Sequence, residues 1–183
     1  EQLKTVGAYA FSGCNNLKNV SLSNAETIGK SAFENSRDVL FINSEKNVSI
    51  GENAFRGTNV KSVNLSNLTV INKNVFENCS ELVSVSIENT TKINSRGFSD
   101  CISLIDINMP KVQELDTYAF KNTALNRVNF ETVKSVGNYA FSGCGAMKYA
   151  FLPNASSIGA YAFNKCTSLE MVYFPSLIEL NNS

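Results

Sequence analysis

Apolar residues return along the chain at short, fixed intervals. After Phe11 the order is Leu17, then Val20 and Leu22 on either side of Ser21, then Ala25, Ile28, Gly29, Ala32 and Phe33. Val20-Ser21-Leu22 alternates apolar with polar, the period of a strand with one buried face. The equivalent pairs are Val63/Leu65, Val85/Ile87, Ile107/Met109, Val128/Phe130, Ala150/Leu152 and Val172/Phe174. In the second copy Ile42 keeps the first site and Ser44 takes the second, so a weaker rung is expected there. The phase is set by Phe11, Phe33, Phe55, Phe76, Phe98, Phe120, Phe141 and Phe163, spaced by 22 or 21 residues. A unit this short cannot bury its own apolar set. Stacked copies can, by building one continuous core in which each rung touches its neighbours.

Three further positions carry information. Four residues before each phenylalanine stand Gly7, Gly29, Gly51, Asn72, Asn94, Asp116, Gly137 and Gly159. Glycine, asparagine and aspartate reach positive φ most readily, so this phase predicts a left-handed turn in every copy. Two residues after the phenylalanine stand Gly13, Asn35, Gly57, Asn78, Asp100, Asn122, Gly143 and then Lys165. That series suits the C-terminal cap of a single helical turn carrying the Ala-Phe pair. Each copy thus reads as a strand, a turn, a positive-φ residue, one turn of helix and a return: an α/β repeat with one parallel sheet. Two copies are a residue shorter, after Phe55 and after Phe120, and both have threonine (Thr58, Thr123) three residues past the phenylalanine.

Cysteine fills that position in five other copies, as Cys14, Cys79, Cys101, Cys144 and Cys166, and Ser36 in one. A small buried residue recurring by repeat geometry explains the series. A bridge between neighbouring rungs, Cys79–Cys101 or Cys144–Cys166, is the alternative, and an odd count with serine and threonine substitutes argues against it. The spacing matches no zinc pattern. Zero formal charge excludes a strongly basic nucleic-acid footprint. No apolar run approaches the roughly 18 residues of a membrane span. The chain has no histidine, which removes the commonest general base and transition-metal ligand. No phosphate-binding loop or hydrolase motif occurs. The expectation is no enzyme, no cofactor and no metal.

The pattern Leu-x-x-Val-x-Leu…Ile-Gly-x-x-Ala-Phe-x-x-Cys-x-x-Leu resembles the BspA-like leucine-rich repeats, from Leu3 to about Leu180. Asn72, Asn94 and Asp116 for glycine, Val75 and Gly97 for alanine, and Ser44 in a strand depart from it. The resemblance implies a right-handed leucine-rich-repeat solenoid with a concave parallel β-sheet and short helical turns or irregular segments on the convex side. It also implies a cell-surface or secreted protein acting in adhesion or protein binding, its partner a host, matrix or other surface protein. Both ends fall within repeats. We therefore expect one solenoid domain over residues 1–183, about eight repeats, as part of a longer protein whose leader would lie outside this segment.

Strand phase then locates a binding surface. Residues pointing away from the core between the paired sites are Ser21, Asn43, Asn64, Ser86, Asn108, Asn129, Phe151 and Tyr173. Those just before the first site are Asn19, Phe41, Ser62, Ser84, Asp106, Arg127, Tyr149 and Met171. The last two rungs gather Tyr149, Phe151, Met171 and Tyr173, with Arg127 one rung away and Phe41 apart. Outward aromatic and arginine side chains are favoured protein-interface anchors. Packing of the cluster against further repeats, a cap or a neighbouring domain, a carbohydrate platform, and a spacer that only displays another domain are the other readings. Tyr9, Tyr118, Tyr139 and Tyr161 share a different phase, either packing between rungs or forming a second binding face.

Overall fold

The computed structural model describes residues 3–17, 20, 22–37, 41–43, 46 and 48–181. Of Phe41 and Asn43 only the backbone is described, and Asn19, Ser21 and Ser44 lie outside the described residues, so the weaker rung expected at Ser44 is not addressed. From Phe41 onward each rung supplies two strands rather than one. Three-residue strands occupy the expected alternating sites: β3 (Phe41–Asn43), β5 (Ser62–Asn64), β7 (Ser84–Ser86), β9 (Asp106–Asn108), β11 (Arg127–Asn129), β13 (Tyr149–Phe151) and β15 (Met171–Tyr173). Two-residue strands run into the glycine phase: β1 (Thr5–Val6), β2 (Thr27–Ile28), β4 (Ser49–Ile50), β6 (Val70–Ile71), β8 (Lys92–Ile93), β10 (Glu114–Leu115), β12 (Ser135–Val136), β14 (Ser157–Ile158) and β16 (Glu179–Leu180). All pairings are parallel, rung to next rung. The long strands form sheets β3-β5-β7-β9 and β11-β13-β15; the short strands form β1-β2-β4 and β6-β8-β10-β12-β14-β16.

The phenylalanine column lies between these ladders and the turns. Successive ring centroids are 5.2–5.6 Å apart and nearly parallel from Phe11 to Phe163. The six rings from Phe33 to Phe141 are fully buried.

No helix forms among the described residues, so the fold is a parallel β-solenoid and the expected helical turn is corrected. On the turn face, alternate amides point along the stack. Tyr9, Phe11 and Gly13 donate to the carbonyls of Lys30, Ala32 and Glu34 at 2.9, 2.8 and 2.8 Å, and the same trio recurs at Tyr118, Phe120 and Asn122. The intervening amides of Ala10, Ser12 and Cys14 close turns within the rung, onto Gly7, Tyr9 and Phe11. A helix would send every amide back along its own chain and leave none for the next rung.

This alternation moves the left-handed residues. The position two before the phenylalanine has φ of 51–61° in all eight copies, through Tyr9, Ser31, Asn53, Asn74, Arg96, Tyr118, Tyr139 and Tyr161. The position two after has φ of 56–79° in all eight, Lys165 included. The second set has the left-handed backbone that its glycines and asparagines suit, but as turn residues and not as the cap of a helix. The first overturns the expectation of positive φ four residues before the ring, where no residue adopts it. Close approach accounts for four of the glycines instead, while Asn72, Asn94 and Asp116 carry a Cβ at the same phase. A Cβ on Gly29, Gly51, Gly137 or Gly159 would lie 2.5–2.6 Å from backbone atoms of the preceding rung.

The cysteine phase is explained by donation rather than by bridging. All five cysteines are free. The thiols of Cys79, Cys101, Cys144 and Cys166 donate to the phenylalanine carbonyl of the rung before, Phe55, Phe76, Phe120 and Phe141, at 3.0–3.2 Å. The Ser36 hydroxyl does the same to Phe11. Thr58 and Thr123, in the short copies, donate to their own Phe55 and Phe120 carbonyls at 2.8 and 3.0 Å. The position calls for a small side chain with a donor, and thiol and hydroxyl both qualify.

Two stability measurements follow. Phe98→Ala, in the middle of the column, should cost about 3–5 kcal/mol in urea unfolding, because stacked neighbours cannot collapse into the void. Lys165→Asn should raise stability by about 0.5–1 kcal/mol, since asparagine tolerates the left-handed backbone better than lysine.

Candidate functional site

The long-strand face carries the outward side chains. Register pairs Arg127 with Tyr149 and Asn129 with Phe151 across β11 and β13, then Tyr149 with Met171 and Phe151 with Tyr173 across β13 and β15. The expected cluster is therefore brought together. The Phe151 and Tyr173 rings stack at 4.9 Å, within 5° of parallel. The Tyr149 hydroxyl donates to Glu170 Oε2 at 3.1 Å, and that bond raises the tyrosine pKa. Arg127 is exposed beside Tyr149.

Exposure here is not only an effect of the last rung. Met171, Val172 and Tyr173 lie in that rung, where even the core-site Val172 is open. Tyr149 and Phe151 have a strand on either side and remain 45% and 39% exposed. Phe41 is not part of this cluster. Its strand β3 belongs to the other long-strand sheet, at the far end of β3-β5-β7-β9, and its side chain lies outside the described residues.

The turn face holds a second array that the sequence reading divided. Arg56 donates from Nε to Glu77 Oε2 at 2.7 Å and from Nη1 to Glu34 Oε1 at 3.0 Å. These bonds, to Glu34 first, raise the arginine pKa. Arg96 reaches Glu77 at 3.4 Å and lies 4.9 Å over the Tyr118 ring. Tyr118, Tyr139 and Tyr161 then stack at 5.1 and 4.9 Å. The tyrosine stripe thus packs rung on rung, and an ion-pair ladder continues it. The alternation Glu34, Arg56, Glu77, one residue past each phenylalanine, was the available signal. Glu77 is buried, so it is held by both arginines rather than solvated.

Among the described residues no group of three or more His, Cys, Asp or Glu could hold a metal ion. No helix among the described residues is long and apolar enough to cross a membrane. What the geometry offers is a rigid sheet with an aromatic shelf.

This arrangement of stacked phenylalanine turns and parallel strands is that of a leucine-rich-repeat solenoid. The BspA type leucine rich repeat region matches in six copies over residues 1–104 and 91–183, and the chain belongs to that family. Solved structures agree on the fold. A leucine-rich repeat protein from Bacteroides ovatus superposes with a TM-score of 0.80 at 23% identity, covering 99% of this chain and 52% of that one. One from Eubacterium ventriosum gives 0.70 at 29% identity, covering 77% of this chain and 40% of that one. A leucine rich cell surface protein from Faecalibacterium prausnitzii gives 0.60 at 20% identity, covering 99% and 57%. The chain thus spans about half the length of these structures. A comparison with curated proteins by sequence found no match.

Thiol chemistry provides a check on the core. Burial pushes the Cys166 thiol up to about 12, and burial likewise raises Cys101 and Cys144. Iodoacetamide at pH 8 should alkylate exposed Cys14 and leave Cys101, Cys144 and Cys166 unmodified in the folded protein, read by intact mass and peptide mapping.

Proposed function

We propose that the chain is a non-catalytic binding module of a cell-surface or secreted protein, and that it engages a protein partner through the long-strand face. The curvature expected of the family would make this the concave face. Tyr149, Phe151, Met171 and Tyr173 form the anchor, with Arg127 at its margin. The partner class is a host, extracellular-matrix or other surface protein. One observation carries this reading: Phe151 and Tyr173 stack face to face on a rigid parallel sheet while remaining open to solvent. Exposed aromatic surface on a fixed backbone loses little side-chain entropy on binding, which is why such residues dominate interface energetics. The cell-surface description of the Faecalibacterium structure supports the location.

The test is a triple variant, Tyr149→Ser/Phe151→Ser/Tyr173→Ser, compared with the parent on immobilised matrix proteins, host cells and a glycan array. These side chains point away from the core, so the circular dichroism and unfolding midpoint should change little. Protein or cell binding should fall by about 30-fold or more, the scale of losing one or two hot-spot residues. Unchanged binding would make the segment a spacer; selective loss of glycan binding would identify a carbohydrate platform.

A further inference from the structure

The long-strand sheet is interrupted at one step. At the other steps that the described residues allow to be compared, the residue after a long strand donates across to the next rung: Leu65 to Ser86, Ile87 to Asn108, Phe130 to Phe151 and Leu152 to Tyr173, each at 3.0 Å. Residues before the strands bond the other way, as Val83 to Lys61, Ile105 to Val83, Lys148 to Asn126 and Glu170 to Lys148, at 2.7–3.1 Å. Between β9 and β11 both series fail. The Met109 amide does not reach Asn129, and the Asn126 amide does not reach Ile105. A cleft of about 540 Å³ opens there, lined by Ile105–Pro110 on one wall and 127–131 on the other. Ile107 is only half-buried, whereas Val63, Val85 and Val128 at the same site are 2–3% exposed. Asp106 and Arg127, which an unbroken ladder would set side by side, are both exposed and form no ion pair with each other.

The opening has a cause in the sequence. Both 21-residue steps widen the ring column to 5.6 Å, at Phe55–Phe76 and Phe120–Phe141, and each breaks one ladder. At the first, the short strands β4 and β6 part, and the Asn72 side-chain amide replaces the missing backbone donor to Ile50 at 2.8 Å. At the second, the short ladder holds and the long one parts, with no side chain bridging the gap. Phe130 sits at that step, its ring 6.2 Å from Phe120 and 6.5 Å from Phe141. A short loop alone does not open the long ladder, because Leu65 follows one and β3–β5 pair. A phenylalanine alone does not, because Phe174 occupies the site and β13–β15 pair. The combination does.

We propose that this cleft receives an extended peptide segment of the protein partner. The Met109 and Asn126 amides and the Asn129 and Ile105 carbonyls give it main-chain hydrogen bonds, as an open sheet edge does in strand addition. Asp106 and Arg127 on opposite walls read a basic and an acidic side chain of the segment and set its direction. The segment continues onto Tyr149 and Phe151. The inference rests on the protein-binding reading of this face.

The experiment selects linear peptides from a random phage-displayed library on the intact chain, then maps a synthetic winner by amide hydrogen exchange. Bound peptide should slow exchange at Met109 and Asn126 by about tenfold or more. Arg127→Glu should weaken binding about tenfold. Phe130→Leu, the residue type found at Leu65 and Leu152, should let the ladder close: Met109 exchange slows in the free protein and peptide affinity drops about tenfold. The proposal is overturned if no peptide is selected, or if Phe130→Leu slows Met109 yet binds the peptide as the parent does. Protection confined to 149–151 and 171–173 also overturns it while leaving the aromatic face as a binding surface. Protection at Met109 together with full matrix binding by the triple serine variant would uphold the cleft and remove the aromatic anchor.

Discussion

Amides on the turn face must serve the neighbouring rung, and the rest of the structure follows from that demand. Tyr9, Phe11 and Gly13 reach Lys30, Ala32 and Glu34 because the backbone reverses hand at two positions around each phenylalanine. Reversal aims alternate N–H groups along the stack. Buried backbone groups must find partners, and here the partners lie outside the repeat that carries them. Each rung is incomplete until another covers it. Close stacking of the turns then places the rings 5.2–5.6 Å apart and leaves no room for a Cβ at Gly29, Gly51, Gly137 or Gly159. The left-handed backbone at Tyr139 or Arg96 costs on the order of 1–2 kcal/mol each. Several interstrand hydrogen bonds and a buried ring per rung offset it.

The period, the ring column, the inward strand sites and the aromatic shelf were legible in the sequence because burial repeats at fixed phase. Side-chain identity reports burial directly: Phe33 and Ile28 have one kind of environment open to them. Backbone conformation was less legible. Glycine at Gly29 was read as a reversal of hand, yet the same residue answers equally well to a close contact, and only the inter-rung packing separates the two. Tyr118, Tyr139 and Tyr161 hid the true reversal, since a tyrosine at positive φ contradicts local preference. Their stacking on one another, and the amide bond that each of Tyr118 and Tyr139 sends to the next rung, hold them there. The second strand was missed because two residues such as Lys92–Ile93 carry no alternation to detect.

Cysteine phase taught a related lesson. Cys101, Ser36 and Thr58 differ in polarity and size, so a sequence reading weighs packing against bridging. The common feature is a hydrogen to donate to a phenylalanine carbonyl that the turn leaves partly unsatisfied. Threonine serves its own rung and cysteine the preceding one. That difference accompanies loop length: the threonines stand where one residue has been lost, and Cys79 and Cys144 in the next rungs still reach the same Phe55 and Phe120 carbonyls. The phenylalanine carbonyl is satisfied on both kinds of step.

A one-residue deletion in a solenoid has to be absorbed somewhere, because three ladders of different length share one axis. The two short copies absorb it in different ladders, and the side chains at hand decide which. Where Asn72 can extend an amide to Ile50, the short-strand ladder opens and is bridged at once. Where the Gly137 amide keeps the short ladder closed by donating to the Leu115 carbonyl at 2.7 Å, the strain passes to the long strands and Phe130 holds them apart. The first solution leaves no vacancy in hydrogen bonding at the Ile50 carbonyl. The second leaves backbone donors and acceptors facing one another across a cleft, beside an aromatic shelf and between two opposite charges. A regular array is therefore given one distinctive place by the loss of a single residue, at a position where the outward surface changes from small polar side chains to Tyr149 and Phe151.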